Sequence, residues 1–387
     1  MSEINRENND ASIASSESPR PLRLAYVLAY RSTDYIRSQS LLDALDSCTG
    51  IEFLLARNHS KGIARYYETW RALLQLRKTH APDIYVLGFR GHEMFWPVRW
   101  LTRGKPLVFD ALMSPSTALS EESKAGQLGK LLAPLLFHFE RGMLRRADLV
   151  LTDTQPHVDL YIAHFGLPKA KILAIPVGAI ETRSSMNSPA APAADDSHFS
   201  VLFYGSMLPL HGVDVIVAAA ARLTDLPIRF NFIGGSARQA KRLQRLCSIH
   251  GVTHYTHRRW VPLADLVSTE IPHADVCLGG PFGGTPQARR VITSKTSQAL
   301  ALGKATVIGA IDEDIGWIDK NNCLLVPQAN PNAIADALRW AFFHRSALQQ
   351  MGARGKMLYE QKLSIRTIAQ RLCPALRVLL ATRTSQP

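Results

Sequence analysis

The sequence predicts an α/β protein built from two doubly wound parallel sheets, one after the other along the chain. Three observations carry this. Short apolar runs alternate with longer segments of helical spacing, which is the pattern of parallel strands joined by crossover helices. The alternation breaks between residues 181 and 200, where Ser, Ala, Pro and Asp replace any periodicity and the composition is that of a linker. It then restarts, and 387 residues suffice for two cores of ordinary size.

The expected division is a disordered tail over 1–20, a first domain over 21–180, a linker over 181–200, a second domain over 201–364, and a closing helical segment over 365–387. The tail is polar and has no apolar signal core. In the first domain, Arg23–Leu28, Ile51–Ala56, Asp83–Gly88, Pro106–Phe109, Ala147–Thr152 and Lys171–Pro176 read as strands. Ser38–Leu45, Tyr66–Leu76 and Gly126–Arg146 have helical spacing. Ligands of such a sheet lie beyond the strand C-termini, where Arg31, His92 and Asp110 fall. Leu128, Leu131, Leu132, Leu135, Leu136 and Phe139 form a broad apolar stripe expected to face the core.

In the second domain, Val201–Tyr204, Ile228–Ile233, Thr253–Thr256, Val276–Leu278, Thr306–Ile308 and Cys323–Val326 read as strands. Val213–Leu223, Ala237–His250, Asn332–Phe343 and Ser346–Tyr359 read as helices, with a shorter one introduced by Trp260–Pro262 and a last one over Ile365–Leu380.

The charge balance is 45 Lys and Arg against 32 Asp and Glu, a net +13 that attracts anions: nucleic acid, anionic headgroups or phosphorylated substrates. The basic residues are dispersed and no nucleic-acid-binding motif is present, so nucleic acid is not the expected partner. No apolar run approaches the ~20 residues that span a bilayer. The five cysteines form no C-x-x-C pair and read as core thiols of a reducing cytoplasm, without zinc or disulfides. Residues 94–105 place Phe95, Trp96 and Trp100 among Arg99, Arg103 and Lys105. Two readings stand: a seat on an anionic membrane surface, or tryptophans packed inward under a coat of arginines.

One run, Leu278–Gly303, carries the chemistry. It begins as a glycine-rich loop, passes Arg289, Arg290 and Lys295, and becomes a helix of small residues. Glycines admit close backbone approach, a helix N-terminus offers unpaired N–H groups, and the cations add charge, which together suit a diphosphate. The loop Gly205–Gly212, between a strand and a helix, is a second candidate phosphate loop.

These fragments resemble the retaining, family 4-type bacterial glycosyltransferases of the GT-B fold, two Rossmann-like domains facing across a cleft. The resemblance runs from about Leu22 to Leu380. It rests on Tyr204–Gly205 followed by Pro209–Gly212, and on Phe282, Gly283, Thr285, Ala288, Arg290, Val291, Ile292 and Lys295 in order. Val108–Asp110, Asp153, Thr154, His157, Phe165–Leu167 and Pro176–Gly178 are also similar.

The resemblance implies a nucleotide-diphosphate sugar as donor substrate, no cofactor and no metal, and a glycan or lipid-linked acceptor in bacterial surface polysaccharide synthesis. The enzyme would be cytoplasmic, peripheral at the inner face of the membrane, with its last helix crossing back to the first domain. Gly205, His211, Arg290 and Lys295 would hold the donor phosphates, His211 alternatively serving as a capping or packing residue. Gly283 and Thr285 would line the donor sugar, and Trp260 and Val261 the base. Gln298 and Arg290 stand where two carboxylates are frequent, and Gln298 would bind the ribose. His92 and Asp110 would position the acceptor hydroxyl or take its proton, Asp110 alternatively capping a helix. The departure at Gln298 keeps two other classes in view: a degenerate scaffold or binding protein of the same fold, and, from the charge alone, a nucleic-acid-binding protein.

Overall fold

The computed structural model describes residues 20–30, 35–121, 126–180 and 198–384. All of the expected tail but Arg20, together with Arg31 and most of the expected linker, lies outside them. The first domain runs β1 (Leu22–Leu28), α1 (Ile36–Asp46), β2 (Ile51–Arg57), α2 (Ala64–His80), β3 (Ile84–Leu87), α3 (Phe95–Leu101), β4 (Leu107–Asp110), α4 (Pro115–Glu121), α5 (Gly126–Arg146), β5 (Leu149–Thr152), α6 (Gln155–Phe165) and β6 (Ile172–Ala174). The second runs β7 (Phe199–Tyr204), α7 (Val213–Ala220), β8 (Ile228–Ile233), α8 (Ala237–Ile249), β9 (Tyr255–Arg258), α9 (Leu263–Asp265), α10 (Ile271–His273), β10 (Val276–Leu278), α11 (Ser294–Ala301), β11 (Thr306–Gly309), β12 (Leu324–Val326), α12 (Pro331–Phe343) and α13 (Arg345–Lys362). A last helix, α14, spans Ile365–Thr384. Helices α4 and α6 have no counterpart in the sequence reading; α6 is announced only by its N-cap, Thr154, whose hydroxyl accepts from the His157 amide.

Both sheets are six-stranded and parallel, in the orders β2-β1-β3-β4-β5-β6 and β12-β11-β10-β7-β8-β9. Strand alternation sends side chains into a core on each face. Leu24, Tyr26 and Leu28 join one cluster and Ala25 and Val27 another; Phe199, Val201 and Phe203 face one side of the second sheet, Leu202 and Tyr204 the other. Each order reverses direction once, between β1 and β3 and between β7 and β10. Such switch points leave a crevice above the strand C-termini.

Helix α14 returns to the first domain, where Ile368, Leu372 and Leu376 pack with Leu41, Ala44 and Leu45 of α1. This contact corrects the cysteine reading. Cys48 and Cys373 form a disulfide, with Cα atoms 6.1 Å apart, while Cys247, Cys277 and Cys323 are free and buried. A pairing across 325 residues leaves no spacing signal in the chain.

The apolar stripe of α5 also departs from expectation. Its last turns are anchored by Met143 and Leu144, but Leu132, Leu135 and Phe139 are exposed; the side chains of Leu128 and Leu131 lie outside the described residues. Among the described side chains of this helix, Met143 and Leu144 join the core, with Phe137 packed against it.

Candidate functional site

The two loops singled out by sequence meet at the switch point of the second sheet, one leaving β7 and the other leaving β10. Their interleaving requires glycine. A Cβ on Gly283 would stand 2.1 Å from the Pro209 carbonyl oxygen, and one on Gly212 2.6 Å from the Phe282 backbone. The Gly283 amide donates to the Leu210 carbonyl at 3.0 Å, fixing one loop on the other. Thr285 closes the next turn, its hydroxyl accepting from the Ala288 amide at 3.2 Å.

Lys295 sits in the first turn of α11, whose N-cap Thr293 accepts from the Thr296 amide. It is buried, and its Nζ would lie 3.8 Å from a Cβ on Gly205, a residue at φ +116°. Phe203 lies beneath the ammonium at 5.5 Å. Burial alone pushes the lysine down to about 7, since no neighbouring carboxylate offsets the desolvation. His211 is buried beside it, its Nδ1 against the Ser206 carbonyl. Burial, and then Lys295, push His211 down to about 3, so the ring is neutral at pH 7. Gly205, His211 and Lys295 thus form one cluster at a helix N-terminus, an arrangement suited to a negatively charged group.

Arg290 lies in the short turn Ala288–Arg290, and its carbonyl accepts from the Thr154 hydroxyl of the first domain. Trp260 follows β9 with 76% of its surface exposed, and Val261 is half-buried against the core. Neither contacts the phosphate cluster directly in any hydrogen bond.

Two expectations are corrected. Asp110 is fully buried and engaged by Arg37, whose Nε and Nη2 donate to Oδ1 at 3.1 and 2.9 Å. Arg37 also donates to the carbonyls of Thr152, Ile175 and Pro176. Burial opposes the guanidinium charge, but Asp110, with Asp153 and Tyr26 adding to it, holds Arg37 above its ordinary value, while burial, only partly offset by Arg37, raises the Asp110 carboxyl. Asp110 therefore neither meets an acceptor nor caps a helix; it anchors β4 to α1, β5 and the chain leaving β6. Gln298 is equally committed. Its Oε1 accepts from the Ile180 amide at 2.9 Å, and its Nε2 donates to the Ile180 carbonyl at 3.3 Å. It is buried and clamps the last described residue of the first domain.

Several residues here were not legible in sequence. Ser297 donates to the Val177 carbonyl at 2.7 Å, and the Gln155 amide donates to Glu313 at 2.8 Å, joining the two domains. Asp153 and His157 form a buried contact at the start of α6, which their i, i+4 spacing could have suggested. Among the described residues no group of three or more His, Cys, Asp or Glu could hold a metal ion.

Two parallel six-stranded domains joined along these contacts define the GT-B class of fold. Comparison with known families agrees. A glycosyl transferase 4-like domain model matches residues 39–178, and a glycosyl transferases group 1 model matches residues 198–342. The chain belongs to the family 4-type glycosyltransferases. Among solved structures, sucrose-phosphate synthase from Thermosynechococcus elongatus superposes with a TM-score of 0.70 at 15% identity, over 94% of this chain and 100% of that one. HepE from Anabaena, in complex with UDP-glucose, gives 0.68 at 12% identity, over 92% and 100%. The lipopolysaccharide outer core galactosyltransferase WaaB gives 0.59 at 11% identity, over 92% and 99%. No curated protein matches the chain.

Proposed function

We propose that this glycosyltransferase moves a sugar from a UDP-type nucleotide-sugar donor to a glycan or lipid-linked acceptor in bacterial surface polysaccharide synthesis. The observation that carries the donor reading is Lys295, a buried ammonium at a helix N-terminus and a switch point, with burial as the one cause of its lowered pKa. A bound diphosphate would supply the missing counter-charge, and the same cation would stabilise the diphosphate as it leaves. Transfer would proceed with retention and without a metal, the charge on the leaving group being met by Lys295, Arg290 and the α11 N-terminus. HepE, which binds UDP-glucose, and WaaB, which acts on the lipopolysaccharide core, support the choice of donor and acceptor class by their fold.

The test is a thermal-shift series with UDP, GDP and their glucose conjugates. Selective stabilisation by UDP compounds, growing with concentration, is expected; no shift with any nucleotide would sink the donor reading. The commitment of Gln298 to Ile180 favours a second reading, a protein that binds a donor without turning it over. UDP-dependent stabilisation without any UDP release from UDP-glucose would select it.

The acceptor side would lie at an anionic membrane surface on the cytoplasmic face. Supporting this, Trp100 is 61% exposed, and Leu132, Leu135 and Phe139 are exposed on α5, while Trp96 packs under Arg146 and against Phe139. No described helix is long and apolar enough to cross a membrane. Vesicles containing phosphatidylglycerol should co-sediment the protein, and Trp100→Ser with Leu135→Ser should release it. Undiminished binding by that double variant would exclude this face.

A further inference from the structure

The switch point of the first sheet, between β1 and β3, has its own polar feature. His92 follows β3 in the short turn Gly91–Met94, its ring edge-on to Phe109 at 5.0 Å. Facing it is Glu140 of α5, whose side chain is 0% exposed. Glu140 Oε2 collects three donors: the Ser116 amide at 3.0 Å, the Ser116 hydroxyl at 2.7 Å and the Ser114 hydroxyl at 3.0 Å. The other oxygen, Oε1, is buried without a partner, and so is Nε2 of His92. These two orphaned atoms stand 3.9 Å apart. They do not make an ion pair, because burial, with Arg90 adding to it, pushes His92 down to about 4.

Two unsatisfied buried polar atoms aimed at each other are rare in a native protein, since each forfeits a hydrogen bond. A hydrogen bond between them would satisfy both. Carboxylate–imidazole pairs of this kind fix a histidine tautomer and leave the opposite nitrogen as an acceptor. The His92 side chain keeps 14% of its surface open while Nε2 is enclosed, which leaves Nδ1 as the outward nitrogen.

We propose that Glu140 and His92 form a dyad in which the carboxylate holds the ring as the Nε2–H tautomer, so that Nδ1 accepts a hydrogen bond from the incoming acceptor hydroxyl. This rests on the glycosyltransferase reading above and assigns its acceptor-orienting group. Glu140 is a positioning residue, acting through His92.

The first arm of the test does not depend on the donor. In the full-length protein labelled with 15N-histidine, His92 is identified by the signal lost in His92→Gln, and its tautomer is read from the two ring nitrogens. Wild type should carry the proton on Nε2. In Glu140→Gln the Ser116 amide still demands an acceptor, so the carboxamide oxygen stays there and its NH2 turns to His92. The ring should then switch to Nδ1–H. An Nδ1–H ring in wild type, or an unchanged tautomer in Glu140→Gln, overturns the proposal.

The second arm measures UDP release from UDP-glucose with water as acceptor. Glu140→Gln and His92→Gln should each lower kcat roughly tenfold or more with KM for UDP-glucose unchanged, and the double variant should be no worse than either alone. Full kcat in Glu140→Gln, or losses that add in the double variant, also overturn it. Should wild type neither bind UDP nor release it, the donor reading fails instead, and the tautomer arm still decides the dyad.

Discussion

Lys295→Met is expected to stabilise the empty protein while weakening its affinity for a nucleotide diphosphate. The two effects have one cause. The ammonium is buried without a counter-charge and is pushed down to about 7, so the folded state binds a proton less readily than the unfolded chain. The sign follows from the two proton affinities. Above the ordinary lysine range neither state is charged at this position and burial carries no penalty. As the pH falls toward 7 the unfolded chain takes up the proton first, and wild type loses stability relative to Lys295→Met. Below about 7 both states are protonated and the difference levels off.

In melts at a series of pH values, the advantage of the variant should therefore grow from pH 10 to pH 7 and then plateau. UDP should bind the variant about 10- to 100-fold more weakly, from the loss of one charge-assisted contact. Wild-type affinity should fall as the pH rises above 7, because the diphosphate then has to draw a proton onto Lys295. A variant that binds UDP as wild type does would remove Lys295 from the donor site.

Arg37→Met is expected to cost about 3–5 kcal/mol of stability by leaving Asp110 as an uncompensated buried charge. The loss also strips donors from three carbonyls, those of Thr152 at the end of β5 and of Ile175 and Pro176 just after β6. Arg37→Met combined with Asp110→Leu should recover much of the difference, since the penalty lies in the unpaired charge and not in the absence of the pair. Chemical denaturation of the three variants measures this directly. If the double variant is no more stable than Arg37→Met, the role assigned to Asp110 is wrong.

The glycines, cations and loop boundaries of the donor side were legible in the chain because they are local. Gly205–Gly212 and Leu278–Gly303 each carry their own turn residues and their own helix start, although the packing of one loop on the other, through Gly212 and Gly283, appears only in the fold. The strands were legible for the same reason: a strand buried on both faces must be apolar along its length, as Leu24–Leu28 and Val201–Tyr204 are. Residue roles were harder. Asp110 ends a strand at the crevice, as a catalytic acid would, and nothing adjacent announces Arg37, 73 residues away. Gln298 occupies a position where a donor contact was expected, and its partner Ile180 is 118 residues off. The stripe on α5 has helical periodicity whether or not a neighbour covers it, so periodicity alone could not place Leu132, Leu135 and Phe139 on the surface.

By itself, then, the sequence determined two parallel α/β units and a glycine-rich, cationic pair of loops with the chemistry of an anion site. Alternation and turn chemistry are written in consecutive residues, and they do not need the rest of the fold to be read. Tertiary structure alone decided which polar groups remain available. It gave Asp110 to Arg37, Gln298 to Ile180 and Cys48 to Cys373, left Lys295 buried beside Gly205, and set Glu140 against His92. Whether a side chain is consumed by structure or left for a ligand depends on which distant partners the fold brings within about 3 Å, and that is settled by packing.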